Sequence, residues 1–476
     1  MERRARMARA EAPESAPDPT AATEAAELEL PPEIVAQSLG QWFRGWMVRI
    51  RSGDSGVLPV ILGLVIITLV FEAVSPHNLF LSAGNLVNLF QQSAVIMVLA
   101  MAEIFALLLG EIDLSVGYVG AVGGVIAVQL VQPRTTNWPW WAAIIAALLV
   151  CAVIGGWQGT LITRLRLPSL IVTLAGLLVF NGLMLILLLL GPFSGYPNLA
   201  GLSSNLQVLY KLMWGAIDPI VSWIGMVVVV GLVGFLLWSG DSRRRRSGLV
   251  APPVSLTLMK IALIAIVSVV VVGICNINRA NTGVVEGVPW VIPIVLFVFG
   301  AWMLLLQRTQ FGRYVYAIGG NPEAARRAGI KLAAIRTWCF VLCSLTAGIG
   351  GILYASYLGG MSNNVNGGQL VLYAVAAAVI GGTSLFGGRG KVLHGLLLRR
   401  PVDVHRYRFR LTRGRDDRFA LAPERHLRQR RARLIPAPER RDVSLESVSA
   451  DVLFLSFSAA SKYTLAAAWQ LLRLAS

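Results

Sequence analysis

Long apolar runs separated by short polar stretches occupy the chain from residue 57 to residue 388. Each run is close to the ~20 residues that an α-helix needs to cross a hydrocarbon layer about 30 Å thick. The pattern therefore predicts an all-α fold, a polytopic membrane helix bundle of about ten transmembrane helices. The predicted spans are residues 57–75, 86–110, 114–131, 139–163, 168–191, 219–238, 254–274, 288–306, 337–360 and 369–388.

Residues 1–56 form a separate region, predicted to be a cytosolic and largely disordered N-terminal segment. Met1–Pro32 is rich in Ala, Glu, Pro and Arg and carries no apolar run, so it cannot bury enough surface to fold alone. Gln41–Arg51 mixes aromatic residues with arginines, a composition typical of an interfacial helix. No apolar run closely follows the early arginines, so a signal peptide is not predicted.

The charged residues of the connecting loops predict the orientation. If the N-terminus is cytoplasmic, the inner loops hold 21 Lys and Arg residues and the outer loops hold 3. Inner loops of membrane proteins carry an excess of Lys and Arg, so this distribution supports a cytoplasmic N-terminus.

Composition excludes the common soluble classes. The chain is 55% hydrophobic and only 14% charged, whereas a soluble domain has about 25% charged residues. The net charge of +17 would suit a nucleic-acid partner, but such proteins spread their charge over a soluble surface. A multi-pass protein of the lipid bilayer, without a nucleic-acid partner, is the predicted class.

Three carboxylates cluster at the end of the second predicted span. They are Glu103, Glu111 and Asp113, and Ser115 follows them directly. Charge is expensive at membrane depth, so this group invites a functional explanation. One interpretation is helix capping, in which Asp113 or Ser115 accepts free N–H groups of the next helix. The other is a gate or transmission element between a transport path and a cytosolic partner.

The inner loop at 307–336 predicts a short helix. Asn321 suits the N-cap, Pro322 the first helical position and Glu323 the positive helix end. The sequence continues with Ala324, Ala325, Arg326, Arg327 and Ala328, and Gly329 can end the helix. A two-turn helix between two spans would be a compact docking knob, whereas the alternative is a basic loop that only sets topology.

A Gly-rich segment at 381–391 is similar to a phosphate-binding loop, but two positions differ. Leu385 stands where the first Gly of that motif belongs, and Val392 replaces the required Ser or Thr. A Gly-rich break after a membrane helix can instead line a pathway with backbone groups.

Polar residues inside or next to the spans are candidates for lining a translocation path, since amides and hydroxyls can pair with the hydroxyls of an uncharged solute. The alternative for each is a hydrogen bond between helices. The candidates are Gln91, Gln92, Ser93, Gln158, Thr173, Asn181, Thr383 and Ser384.

Enzyme signatures are not found. The chain has no HExxH or GxSxG motif, no CxxC pair and four scattered histidines. We therefore predict no catalytic site, no metal site and no cofactor in this chain.

Four segments resemble a known family in matching order. They are IDLSVG at 112–117, LPSLIVTLAGLLVFNG at 167–182, FGRYVYAIGGNPEAARRAGI at 311–330 and GGTSLFGGRG at 381–390. They resemble the membrane permease subunit of ribose/xylose-type ABC sugar importers. The chain is more similar to the xylose-type permease, which carries EIDLSVG and an arginine-rich inner loop followed by an extra span, as at 243–274. The likeness covers the transmembrane permease domain, residues 57–392.

The resemblance implies import of a monosaccharide, xylose by likeness, by alternating access across a bacterial inner membrane. It implies cytosolic ABC ATPase subunits, which would hold the ATP, an extracytoplasmic sugar-binding protein and a homodimer of permeases. In this interpretation Asn321–Ile330 becomes the coupling helix that sits on the ATPase.

Residues 393–476 depart from that family. Residues 399–442 hold 15 Arg, no Lys and 6 acidic residues, where family members continue with apolar helices. One hypothesis is a frameshift with partial return to frame, which reading the DNA in the other frames would test. The alternative is a genuine basic tail that binds lipid headgroups.

Two other functions remain open at this point. In an ion-coupled secondary sugar transporter, Glu103 and Asp113 would bind the proton or sodium ion. A transport-defective membrane protein would result if the altered C-terminus removed necessary helices.

Overall fold

The computed structural model describes residues 58–390, except 76–78, 134, 190–196, 202, 248–251, 280–283 and 389, together with 40, 41, 44, 45, 47 and 48. The predicted disordered segment within 1–56 lies almost wholly outside the described residues, as does most of the predicted interfacial helix Gln41–Arg51. The arginine-rich region after residue 392 also lies outside them.

Between residues 58 and 380 the described chain forms thirteen helices and two very short strands. The first seven helices are α1 Leu58–Val74, α2 Ala83–Leu108, α3 Val116–Leu130, α4 Trp140–Arg164, α5 Ser169–Leu189, α6 Ser204–Trp214 and α7 Pro219–Arg246. The remaining six are α8 Val254–Cys275, α9 Val291–Arg308, α10 Gln310–Gly320, α11 Pro322–Arg327, α12 Leu332–Leu358 and α13 Gly367–Ile380. The strands are β1 Ala216–Ile217 and β2 Val288–Pro289.

The prediction of an all-α membrane helix bundle is confirmed. Seven of the described helices are long and apolar enough to cross a membrane, namely α2, α4, α5, α7, α8, α9 and α12. Three shorter apolar helices lie at Leu62–Val74, Val116–Leu130 and Gly367–Ile380. Each of the ten predicted spans therefore overlaps one apolar helix. The number of membrane crossings and the side of the N-terminus stay predictions.

Several predicted boundaries were wrong. The last span was predicted to reach residue 388, but α13 ends at Ile380 because Gly382 adopts a left-handed backbone with φ +93°. Helix α7 continues past residue 238 to Arg246. Two stretches predicted as loops contain helices, α6 and α10. Both are short, so neither resembles a spanning run.

Helix α12 forms the centre of the bundle and packs against α4, α3 and α2. Its contact with α3 is a backbone contact, because a Cβ on Gly351 would lie 1.7 Å from the carbonyl oxygen of Gly120. Small residues let membrane helices approach this closely, and dispersion and weak polar contacts then hold them together. Two large side chains are fully buried elsewhere in the bundle: Phe105 of α2 packs edge-on against Trp302 of α9, and Phe340 of α12 packs with Ile162 of α4 and Val172 of α5.

Helices α7 and α8 form a hairpin that packs mainly on itself. Its two ends meet in an antiparallel ladder, where Ala216 pairs with Pro289 and Ile217 with Val288. The N–H of Trp290 also donates to the carbonyl oxygen of Gly215 at 3.1 Å. A small core of Val87, Val272, Cys275 and Val288 joins this end of the hairpin to α2.

Candidate functional site

The segment between α2 and α3, residues 109–115, brings the three predicted carboxylates together inside the protein. Glu103 and Asp113 are completely buried, and Glu111 is 6% exposed. Among the described residues, neither carboxylate oxygen of Glu103 has a hydrogen-bond partner. Within the described ranges, no set of three His, Cys, Asp or Glu side chains is arranged to hold a metal ion.

Asp113 is held by a chain of hydrogen bonds that crosses three helices. Its Oδ1 accepts from the backbone N–H of Ser115 at 3.0 Å and from the Ser115 hydroxyl at 2.6 Å. Nε2 of the fully buried Gln158 on α4 donates to Ser115 Oγ at 2.9 Å. The thiol of Cys343 on α12 donates to Asp113 Oδ2 at 3.7 Å. Burial raises the pKa of Asp113, and the hydrogen bonds from Ser115 and Cys343 oppose that rise.

These bonds refine the capping interpretation. Ser115 is the N-cap residue of α3, yet its side chain makes no capping hydrogen bond. Asp113 accepts an N–H at the start of the helix, but that N–H belongs to Ser115 itself. The two residues tie α3 to α4 and α12 more than they satisfy the free amides of α3.

Glu111 forms an ion pair with Arg336 near the start of α12. Burial raises the pKa of Glu111, and the neighbouring guanidinium opposes that rise. The Arg336 side chain is 37% exposed and that of Glu111 is 5% exposed. The pair therefore links a buried segment to the surface from which α12 begins.

The predicted short helix is present as α11, immediately before α12. Asn321 Oδ1 accepts from the N–H of Ala324 at 2.9 Å, and Pro322 occupies the first turn. Glu323 accepts from Arg326 at 3.0 Å and from Arg327 at 3.4 Å. Ala325 is buried, whereas the remaining residues of α11 are exposed. Gly329 follows with φ +81°, a conformation that glycine adopts at low cost.

The polar path candidates lie on several helices. Gln91 is buried and donates to the carbonyl oxygen of Met213 at 2.6 Å. Thr173 on α5 is fully buried and donates to the carbonyl oxygen of Ile112 at 3.2 Å. Gln92 is exposed on α2, and Asn181 is half-buried on α5. The structure thus brings Gln158, Thr173 and the segment 109–115 together, and places Gln91 elsewhere on α2.

The two remaining candidates lie in the Gly-rich loop after α13. Thr383 is buried, and its hydroxyl has no hydrogen-bond partner among the described residues. Ser384 Oγ accepts from the N–H of Phe386 at 3.2 Å. Whether these residues line a path stays a prediction.

Sequence reasoning missed how this loop is anchored. The N–H of Gly388 donates to the carbonyl oxygen of Leu108 at 2.9 Å. The hydroxyl of Tyr316 on α10 donates to the carbonyl oxygen of Gly390 at 2.7 Å. The loop therefore contacts both the end of α2 and the helix that precedes α11. The density of glycines at 381–390 was the available signal.

Residues 85–389 match the family described as the permease component of the branched-chain amino acid transport system. The chain is 35% identical to the xylose transport system permease protein XylH of Escherichia coli K12, over 70% of this chain and 80% of that protein. It is 30% identical to XylH of Haemophilus influenzae, over 73% and 87%. It is 26% identical to the ribose import permease protein RbsC of E. coli K12, over 74% and 83%. No solved structure matches the chain significantly.

Proposed function

This chain belongs to the family of branched-chain amino acid transport system permease components, and we propose that it is the membrane subunit of an ABC importer for a xylose-type monosaccharide. Its likeness to two xylose permeases over most of their length supports this substrate class. In the proposed assembly, two copies of the chain pair in the membrane. Cytosolic ATPase subunits drive them, and an extracytoplasmic binding protein delivers the sugar.

The exposed helix α11 carries the proposal. It is exposed except at Ala325, and internal contacts of Asn321 and Glu323 fix its shape without any partner. A preformed helix loses little conformational entropy when it is bound, which makes it suitable for docking in a groove. We assign this groove to the ATPase subunit.

The position of α11 provides a mechanical route into the bundle. Helix α11 packs against the start of α12, and α12 packs against α2, α3 and α4. Closing of the ATPase subunits on ATP would displace α11, and α12 would carry that displacement to the helices around Asp113 and Gln158. The membrane helices would then alternate between an outward-open and an inward-open arrangement, in which ATP hydrolysis stays in the partner.

The test is reconstitution of the full chain with its cognate ATPase and sugar-binding protein in liposomes. Wild-type protein should take up radiolabelled xylose only with ATP on the ATPase side. The double variant Glu323→Ala/Arg326→Ala removes the charged contacts on α11 and should reduce uptake by at least about tenfold, which corresponds to ~1.4 kcal/mol of lost coupling. Competition with unlabelled ribose and galactose would define the sugar.

Arg243→Ala is the matched control, since Arg243 is an exposed arginine at the end of α7 and has no assigned docking role. It should leave uptake unchanged. Equal uptake by the double variant and wild type would contradict the docking role of α11. Absence of ATP-dependent uptake by correctly inserted wild-type protein would contradict the importer itself and support a non-transporting membrane protein.

One observation favours a second candidate, an ion-coupled secondary transporter. Glu103 and Asp113 are fully buried carboxylates, and such residues commonly mark ion or proton pathways in membranes. Liposomes that contain this chain alone separate the two functions. Sugar uptake driven by a proton or sodium gradient without the ATPase would support the secondary transporter, whereas uptake that needs ATP and the ATPase supports the importer.

A further inference from the structure

Three chain segments meet backbone to backbone beside α11, and we call this contact the glycine junction. It consists of Leu108–Gly110 at the end of α2, Gly319 at the end of α10, and Gly387, Gly388 and Gly390 after α13. The three segments are far apart in the sequence. Their meeting point lies directly before α11 along the chain.

Gly319 leaves no room for a side chain. A Cβ at this position would lie 1.8 Å from the carbonyl oxygen of Leu108 and 2.5 Å from the backbone nitrogen of Gly388. That same nitrogen donates its hydrogen to the Leu108 oxygen at 2.9 Å. Gly319 therefore packs against a hydrogen bond that joins α2 to the loop after α13.

The other two segments are shaped for the same contact. Gly110 and Gly387 have φ +77° and φ +80°, a left-handed conformation that L-residues rarely adopt. A Cβ on Gly387 would lie 2.8 Å from the nitrogen of Gly110 and 2.9 Å from the oxygen of Gly319. Each segment thus restricts the other two through backbone atoms, which cannot move aside as a flexible side chain can.

Tyr316 adds a directional bond to the junction. It lies on α10 one turn before Gly319, and its hydroxyl donates to the carbonyl oxygen of Gly390 at 2.7 Å. Helix α10 is therefore attached to the loop after α13 at two successive turns.

The sequence positions around the junction connect two parts of the candidate site. Gly319 lies three positions before Pro322, the first residue of α11, and Gly110 is followed directly by Glu111. We propose that Gly319 and Tyr316 are positioning residues for transport, because they make the glycine junction a rigid link from α11 to the buried segment of Glu111 and Asp113. The inference rests on the proposed importer function, and it assigns to that importer a second route of coupling besides α12.

Two adjacent glycines provide the test. Gly319→Ala inserts a methyl group into the junction, whereas a Cβ on the neighbouring Gly320 would meet nothing within 4 Å. The assay uses the full chain reconstituted with its cognate ATPase and binding protein. We expect Gly319→Ala to lower the stimulation of ATP hydrolysis by sugar-loaded binding protein by about fivefold or more, the usual range of coupling between sites. Basal hydrolysis and ATPase co-purification should persist, and Gly320→Ala should match wild type.

Tyr316→Phe keeps the proposal testable if Gly319→Ala fails to fold. It removes only the hydroxyl bonded to Gly390, and it should reduce stimulated hydrolysis and uptake together while basal hydrolysis stays constant. A purely structural role would instead lower the amount of assembled complex and the basal rate in proportion.

Wild-type stimulation in Tyr316→Phe would overturn the inference, as would equal behaviour of folded Gly319→Ala and Gly320→Ala. Failure of wild-type protein to couple uptake to ATP would instead overturn the importer function, so the two failures are distinguishable.

Discussion

The α2–α12 pair is more deeply buried within the protein than the α7–α8 hairpin, although its helices are less apolar. In the most apolar stretches of α2 and α12, 78% and 72% of residues are buried within the protein. In α7 and α8 the corresponding share is 11%, although these two helices are the more apolar pair. Lipid is as apolar as leucine, so there is no hydrophobic force that draws the most apolar helices into the protein.

What is buried in the centre is small or polar. Helix α12 buries Ser344, Thr346 and Ser356 together with three glycines, and α2 buries Glu103. The hairpin buries few polar residues, among them Thr257. Close packing and polar contacts therefore stabilise the centre, while the hairpin needs little beyond its own pairing and its attachment at β1 and β2.

Gly351→Ala should cause the largest loss of stability, because it disturbs the packing of α12 against α3. A methyl group there would meet the backbone oxygen of Gly120, and overpacking of this kind lowers the free energy of unfolding by about 3 kcal/mol. Thermal unfolding in detergent measures the change. Gly231→Ala in α7 is the matched control, because a Cβ there meets nothing within 4 Å. A loss of stability in Gly231→Ala equal to that in Gly351→Ala would contradict the comparison.

Arg336→Gln should have the next largest effect. It leaves the carboxylate of Glu111 buried without its cation, and the unpaired group should lower the free energy of unfolding by about 2 kcal/mol. The control Arg326→Gln breaks the exposed pair with Glu323, which is expected to change stability by less than about 0.5 kcal/mol. Denaturant titrations of both variants test the difference. Equal effects would show that the buried pair contributes no more to the free energy of unfolding than the exposed pair.

Asp113→Asn should weaken the dependence of folding stability on pH. Burial raises the pKa of Asp113 above its usual 3.8, so the folded state holds this proton more tightly than the unfolded state. Its contribution to stability is complete below pH 3.8 and is lost as pH rises through the raised pKa. The amide variant can still accept from Ser115 and should be more stable than wild type at neutral pH.

Unfolding temperatures measured from about pH 4 to about pH 8 test this prediction. Wild-type stability should fall with rising pH more steeply than that of Asp113→Asn. Parallel curves for wild type and Asp113→Asn would refute the prediction.

Thr257→Val should have the smallest effect on the free energy of unfolding. The hydroxyl of Thr257 donates to Asp241 at 2.8 Å and accepts from Arg245 at 3.2 Å, which joins α7 to α8. Its removal should lower the free energy of unfolding by about 1 kcal/mol. Ser239→Ala, which loses a bond within α7 alone, should lower it less. Spectroscopic unfolding of both variants would measure this, and a loss in Thr257→Val as large as that in Gly351→Ala would reverse the comparison.

Local features were predictable from the sequence. The ten apolar runs overlap ten apolar helices, since span length and hydropathy are properties of consecutive residues. Asn321, Pro322 and Gly329 form the predicted start and end of α11, because capping depends on residues within one turn. Helices α6 and α10 were missed because they are too short to resemble spans.

Contacts between distant positions were not predictable. Glu111 and Arg336 are separated by 225 positions, and Gln158 is separated from Ser115 by 43. Single-sequence reasoning identified the individual polar residues but not their partners, because helix packing chooses those. The glycine junction was recognised only as a Gly-rich loop, since the oxygen of Leu108 that it packs against carries no sequence signal.

The two-residue ladder has a consequence for how the molecule can be built. Because Ile217 and Val288 are paired partners, the chain returns at β2 to the point where it left at β1. The α7–α8 hairpin therefore begins and ends at the same place in the structure. One short peptide bridge could replace α7 and α8 without moving the ends of α6 and α9. In engineering terms the ladder is a cassette boundary, at which the hairpin can be excised or exchanged as a unit.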